Sequence, residues 1–210
     1  MKLLLTFLLG VVTTVSALAQ NFEGRILYAN SYKTKLPNVT DQQWNDMMGT
    51  SQEYFVKGGS YKTIDNGTLM QWQLFPGPDT NKLYTKMSNS EAAIWNDAAV
   101  NPDEVLKAEV KKDAATILGY KCDELTLTCK SGVQKYYFTS KLALDPKLYE
   151  KHKFGNWYEV IKNTKAIPLK FVVDTPQFSM ESVATEVKAM KLAAATFELP
   201  AGVKTEKSPY

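Results

Sequence analysis

The chain has 210 residues, enough for one domain with a sizeable core or at most two small ones. Its charged fraction (22%) and hydrophobic fraction (44%) are those of globular material and exclude a disordered tail. The formal net charge of +3 is carried almost wholly by lysine, since Arg25 is the only arginine, and a chain so poor in guanidinium forks is a poor match for nucleic acid.

In chain order, residues 1–19 read as a secretory signal. Lys2 supplies the positive start, Leu3 to Val15 the apolar run, and Ala17-Leu18-Ala19 the small-residue cleavage site, leaving Gln20 first in the mature chain. An N-terminal anchor is the alternative, but the run is shorter than the ~20 residues a spanning helix needs. No cysteine follows the cleavage site to accept a lipid. The expectation is a periplasmic or secreted product that does not span a membrane, with residues 20–210 forming one domain.

Beyond the signal, a period of two dominates. Phe22, Gly24, Ile26 and Tyr28 alternate with Glu23, Arg25, Leu27 and Ala29 as a first strand. Strands are expected at Glu53–Lys57, Ser60–Asp65 and Leu69–Phe75, joined by Gly58-Gly59 and Asn66-Gly67 as tight hairpin turns. Extended structure resumes at Asn81–Met87, and Tyr120–Lys130 and Gln134–Ser140 flank a Ser131-Gly132 turn. Trp157–Lys162, Leu169–Asp174 and Ser179–Met190 continue the antiparallel series, and Phe197 to Pro200 reads as a final strand. Four helix starts interrupt it. Thr40-Asp41-Gln42-Gln43 is a capping box, and Ser88-Asn89-Ser90-Glu91 repeats it. Asn101-Pro102-Asp103-Glu104 offers a cap and an N1 proline, and Asp145-Pro146 opens a helix that Gly155 closes. The pattern is α+β with one long antiparallel sheet, curled so that its concave side needs an apolar cover.

Little here carries covalent chemistry. A single histidine and two cysteines leave no structural zinc set. His152, between Lys151 and Lys153, reads as a solvated side chain. Cys122 and Cys129 lie in one continuous strand, with Cα atoms roughly 23 Å apart at ~3.3 Å per residue, too far for a bridge. A disulfide remains the competing reading, because an exported pair usually closes. No nucleophile elbow and no glycine-rich phosphate loop occurs. What remains is four tryptophans, eleven tyrosines, nine phenylalanines and seven methionines. They fill an ordinary core or line a cavity for an apolar molecule.

The order of elements resembles a known group. The strand Phe22-Glu-Gly-Arg-Ile-Leu-Tyr28, the segments Ile117-Leu-Gly-Tyr-Lys-Cys122 and Ile167-Pro-Leu-Lys-Phe171, and the closing Phe197-Glu-Leu-Pro-Ala-Gly202 carry the resemblance. It is to secreted Bacteroidota domains of unknown function, related in architecture to the LolA/LolB-like lipoprotein-carrier superfamily. The resemblance implies an open antiparallel β half-barrel with short helices across its concave face, which in LolA-like members holds acyl chains. The arginine that couples loading to a latch in LolA has no counterpart, since Arg25 lies on the first strand.

The resulting expectation is a non-enzymatic, monomeric envelope protein binding a lipid or acyl chain without cofactor or metal. The candidate lining is Ile26, Tyr28, Trp44, Met47, Tyr54, Met70, Trp72, Leu74, Trp95, Leu125, Leu127 and Phe138, with Met70, Trp72 and Leu74 on the concave strand face and Trp44, Met47 and Trp95 closing it from helices. The alternatives are a structural or protein-interaction module with a filled core and an envelope-protein partner, an enzyme assembled from scattered residues, or an outer-membrane barrel. The last is disfavoured by lysines on both strand faces.

Overall fold

Among the described residues, twelve strands form one sheet whose two ends never meet. The computed structural model describes residues 21–209, so the segment read as a secretory signal lies outside the described residues. The strands are β1 (Gly24–Thr34), β2 (Ser51–Lys57), β3 (Ser60–Asp65), β4 (Met70–Phe75), β5 (Lys82–Met87), β6 (Ala93–Asp97), β7 (Val105–Ile117), β8 (Tyr120–Cys129), β9 (Gly132–Ala143), β10 (Ala166–Asp174), β11 (Phe178–Ala189) and β12 (Thr205–Lys207). Their spatial order is β12-β6-β5-β4-β3-β2-β1-β11-β10-β9-β8-β7. Every pairing is antiparallel except β12 beside β6. Two helices, α1 (Asp41–Met48) and α2 (Trp157–Thr164), complete the α+β open half-barrel.

The curl follows from one contact. β3 and β8 are six strand steps apart, about 29 Å in a flat sheet at ~4.8 Å per step. Yet α2 packs on β8, β9 and β10 while its Trp157 ring lies 5.9 Å from the Tyr61 ring on β3. A helix only ~10 Å wide spans that gap because the sheet wraps around it. The buried cluster beneath α2 contains Ile26, Val56, Leu125, Leu127, Val160, Ile161 and Leu169, all at or near zero exposure.

Several sequence signals act as expected. Gly58 (φ 53°) and Gly59 (φ 87°) make the β2–β3 turn. The Thr40 hydroxyl accepts from the Gln43 backbone N–H while the Gln43 side chain accepts from the Thr40 N–H, completing the box that starts α1. Asn66-Gly67, in contrast, is not a tight primed turn. It lies in a four-residue connection docked on the end of α1, where Thr68 and Leu69 donate to the carbonyls of Asp46 and Met47. A Cβ on Gly67 would stand 2.4 Å from the Met47 carbonyl, so the glycine permits a close backbone approach.

Four expected elements change type. Trp157–Lys162 is helix, not strand. Its aromatic and β-branched residues favour extended chain, but Val160, Ile161 and Thr164 recur at helical spacing and bury one face against β8–β10. The capping signals at Ser88 and Asn101 start no helix. The same side-chain-to-backbone bonds serve turns: Ser88 Oγ donates to the Thr68 carbonyl, and Asp103 accepts from both Ser131 N–H and Ser131 Oγ–H. The chain then runs on as β6 and β7. Finally, Phe197 ends a 3-10 turn (Ala194–Phe197) rather than starting a strand.

Two bulges shift the facing of side chains. The β7–β8 register slips between Lys111 and Ala115, with Asp113 at φ 50°. On β8, Cys122 opposite this bulge and Cys129 are both buried in the main core as free thiols. In β4 the register slips between Met70 and Trp72, so those two residues face opposite sides. Trp72 and Leu74 lie on the outer face, packed with Tyr84, Trp95, Leu192 and Phe197 under the C-terminal segment. That segment is strapped down where Leu192 N–H donates to Glu23 and Lys57 Nζ to the Leu192 carbonyl.

Burial pushes the Cys129 thiol up to about 11 and raises that of Cys122. Ellman titration without reductant is expected to find no reactive thiol in the folded protein and two after denaturation. An internal disulfide mapped by peptide mass would contradict the strand geometry.

Candidate functional site

The concave face can be read in rows across the sheet. Tyr28, Gln52 and Asp65 are paired neighbours on β1, β2 and β3. The next row is Ile26, Tyr54, Thr63 and Gln73, and the one beyond it is Gly24, Val56, Tyr61 and Phe75. Polarity therefore changes along the strands, from amide and carboxylate at the Asp65 row to rings at the Tyr61 row.

Between this surface and β10–β11 lies a cavity of about 270 Å³. Its walls come from Tyr28 and Tyr32 on β1, Gln52 and Tyr54 on β2, Tyr61, Thr63 and Asp65 on β3, and Met70 and Gln73 on β4. Met48 of α1, Trp157 of α2, Ile167, Pro168 and Phe171 of β10, and Met180 of β11 complete it. Pro168, with no N–H to give, sits where the β9–β10 register shifts, and its carbonyl accepts from Tyr28 Oη–H at 2.6 Å. The Tyr54 hydroxyl and Trp157 Nε1–H, both buried, have no hydrogen-bond partner among the described residues.

A stack of rings joins sheet to cap. Tyr54 lies on Tyr61 at 5.4 Å, and Tyr61 lies on His152 at 5.7 Å with planes 11° apart. Phe75 is 4.2 Å from His152, and Tyr61 Oη and His152 Nε2 share a hydrogen bond of 2.8 Å. His152 is thus 1% exposed, not solvated as its flanking lysines suggest. Lys151 and Lys153 point outward, and the residue between them points in. Burial pushes the imidazole down to about 3, so it is neutral in the folded protein. Next in the chain, buried Asn156 (φ 63°) bonds Asp103, Gln134 and Asn101, fixing the turn that starts α2.

Of the sequence-derived lining, Tyr28, Tyr54 and Met70 border the cavity. Ile26, Leu125, Leu127 and Phe138 belong to the packed core on the concave side. Trp72, Leu74 and Trp95 lie on the outer face, where Lys82 Nζ sits 3.9 Å over the Trp95 ring. Trp44 packs on Phe178 at 4.7 Å, and Met48 rather than Met47 reaches the cavity. Sequence reasoning missed Tyr32, Gln52, Tyr61, Thr63, Asp65 and Trp157. The in-phase positions of the Gly58-Gly59 hairpin carry four of these, Tyr61, Thr63 and Asp65 on β3 and Gln52 opposite Asp65 on β2.

Among the described residues, Asp65 is the one charged group in the lining. Gln52 Nε2–H donates to it at 2.9 Å and Thr63 Oγ–H at 3.2 Å, and among the described residues it makes no ion pair. Burial pushes its carboxyl up to about 6. No group of three or more metal-ligating side chains occurs among the described residues.

No family model matches the chain, and no curated protein does. Among solved structures it is similar to an uncharacterized conserved protein from Thermus thermophilus, with 7% identity and a TM-score of 0.47 over 89% of this chain and 91% of that one. Similar too are lipoprotein LppX of Mycobacterium tuberculosis (9% identity, TM-score 0.34, 82% and 90%) and LprF of Mycobacterium bovis (10%, 0.32, 86% and 90%). Likeness at this level assigns no residue a role.

A carboxyl raised in the fold stabilises the protein fully at low pH, and that contribution is lost as pH rises through about 6. Asp65→Asn is therefore expected to raise Tm at pH 7.5, by about 2–4 °C for ~1 kcal/mol after discounting for partial exposure. The gain should shrink as pH falls below about 6 and vanish by about pH 3.5. A Tm gain equal at both pH values, or a loss at pH 7.5, would contradict the placement.

Proposed function

We propose that this chain is a non-enzymatic binding protein of the cell envelope, periplasmic or secreted after signal cleavage, that holds an apolar ligand such as a lipid or acyl chain in the concave cavity. The observation that carries this reading is a cavity on the concave side of the sheet, beside a core whose residues are at or near zero exposure. Its walls are tyrosine, tryptophan and phenylalanine rings with three thioethers, Met48, Met70 and Met180. Rings supply apolar area at little entropic cost, and unbranched methionines repack around chains of different shape. A site for covalent chemistry would instead gather nucleophile, base and oxyanion donors, and the single imidazole is locked against Tyr61 and Phe75. The resemblance to LolA-like carriers agrees with an apolar cargo in the hollow of a half-barrel.

The volume bounds the cargo. About 270 Å³ lies just below the usual range for ligand pockets, which suits a short chain or the end of a longer one. The packing of Ile26, Leu125 and Leu127 at zero exposure favours a second reading, a structural or interaction module whose hollow is filled by its own side chains.

Trp157 is the tryptophan in the cavity wall, so it reports occupancy. Titration with decanol is expected to change tryptophan emission saturably, and Trp157→Phe to remove most of that change. A folded protein that shows no saturable response and yields no lipid on organic extraction would replace the binding reading with the structural one.

A further inference from the structure

The cavity has a polar end, and its chemistry selects a head group. Each Asp65 oxygen accepts one hydrogen bond, from Gln52 or Thr63, which leaves acceptor capacity on both. No lysine, arginine or histidine among the described residues lines the cavity. Elsewhere acids take cationic partners: Glu53 and Glu186 hold Arg25, Asp41 holds Lys33, and Asp174 holds Lys35. An unpaired carboxylate between aromatic walls costs folding free energy unless something pairs with it.

The rings point the same way. Tyr28 neighbours Gln52 in the Asp65 row, and Tyr32 is close enough for the Asp65 charge to raise its hydroxyl further. Aromatic faces attract cations, most strongly where water is excluded. A carboxylate head would meet Asp65 with no cation to compensate it.

We propose that the ligand carries a cationic, alkylammonium-type head seated against Asp65 among the rings of Tyr28 and Tyr32, with its apolar tail lying toward Tyr61 and Trp157. The proposal rests on the binding reading above and specifies its ligand class. The tail runs down the polarity gradient, from the Asp65 row to the Tyr61 row, along the strand direction. A fatty acid is thereby disfavoured as cargo, and a neutral chain is accepted without preference.

The groups that interact with Asp65 are Tyr32 on β1, Gln52 on β2 and Thr63 on β3, while Gln73 and Met70 of β4, Met48 of α1 and Met180 of β11 line the same cavity. All are uncharged at neutral pH, so Asp65 alone sets the sign of the site between pH 5 and 7.5. An alkylamine stays protonated throughout that range.

The test is calorimetric titration of the exported protein with decylamine, decanol and decanoate below their micellar concentrations. At pH 7.5 decylamine is expected to bind about tenfold tighter than decanol, and decanoate more weakly than either. In Asp65→Asn the amine-to-alcohol ratio should fall to about one. In the wild type it should fall several-fold on moving to pH 5, as the carboxyl protonates, and this arm needs no variant to fold. Equal binding of amine and alcohol by the wild type, or a ratio kept in Asp65→Asn or at pH 5, overturns the head-group assignment while leaving apolar binding standing. Failure of all three probes to bind overturns both.

Discussion

The contact on which this fold depends is the stack of Tyr61 against His152. An open sheet of twelve strands has an apolar concave face that no second sheet covers. The chain covers it with the segment from Pro146 to Thr164, and that segment is anchored to the far side of the sheet through His152. The imidazole lies between Tyr61 and Phe75 and bonds the Tyr61 hydroxyl. From the same segment, Lys153 and Phe154 donate to the Ala98 carbonyl beside β6, while α2 packs on β8–β10. One short stretch thus clamps both halves of the curled sheet. Because burial keeps His152 neutral, this contribution is present above the ordinary histidine range and is lost as pH falls from ~6.5 towards 3.

With the cap placed there, the space beneath it divides in two. On the β8–β10 side, Leu125, Leu127, Val160 and Leu169 are packed at zero exposure in the main core. On the β1–β4 side, the rings of Tyr28, Tyr54 and Tyr61 stand edge-on or stacked, and they border the hollow. The outer face of β4–β6 has its own cover in the Leu192–Leu199 stretch, so Trp72 and Leu74 are used to hold the C-terminal segment and not to shape the hollow.

Much of this was legible in the residues. Alternation located most strands, Gly58-Gly59 and Thr40 marked a turn and a helix start, the number of strands implied a curled sheet, and the resemblance to LolA-like carriers implied that it stays open. What the sequence hid was parity and context. One extra residue between Met70 and Trp72 turns half of β4 over, and period-two reasoning carries such an error through the rest of the strand. Trp157-Tyr158-Glu159-Val160-Ile161 has strand composition, yet it becomes helix because Asn156 and Lys165, both left-handed, close its ends and the core supplies its partner. Asp65 looked like a strand end beside a turn. Only the pairing with Gln52 and the lack of a cation among the described lining residues make it the polar pole of a cavity.

The central claim, that the ring-and-thioether hollow receives an apolar chain, is tested most directly by methyl NMR of protein labelled at its methionine methyl groups. Met48, Met70 and Met180 line the hollow, whereas Met190 sits 38% exposed at the end of β11. On addition of an alkyl ligand, the three cavity methyls should shift and show transfer from the alkyl protons, and Met190 should stay in place. Unmoved cavity methyls, or shifts confined to Met190, would contradict the account.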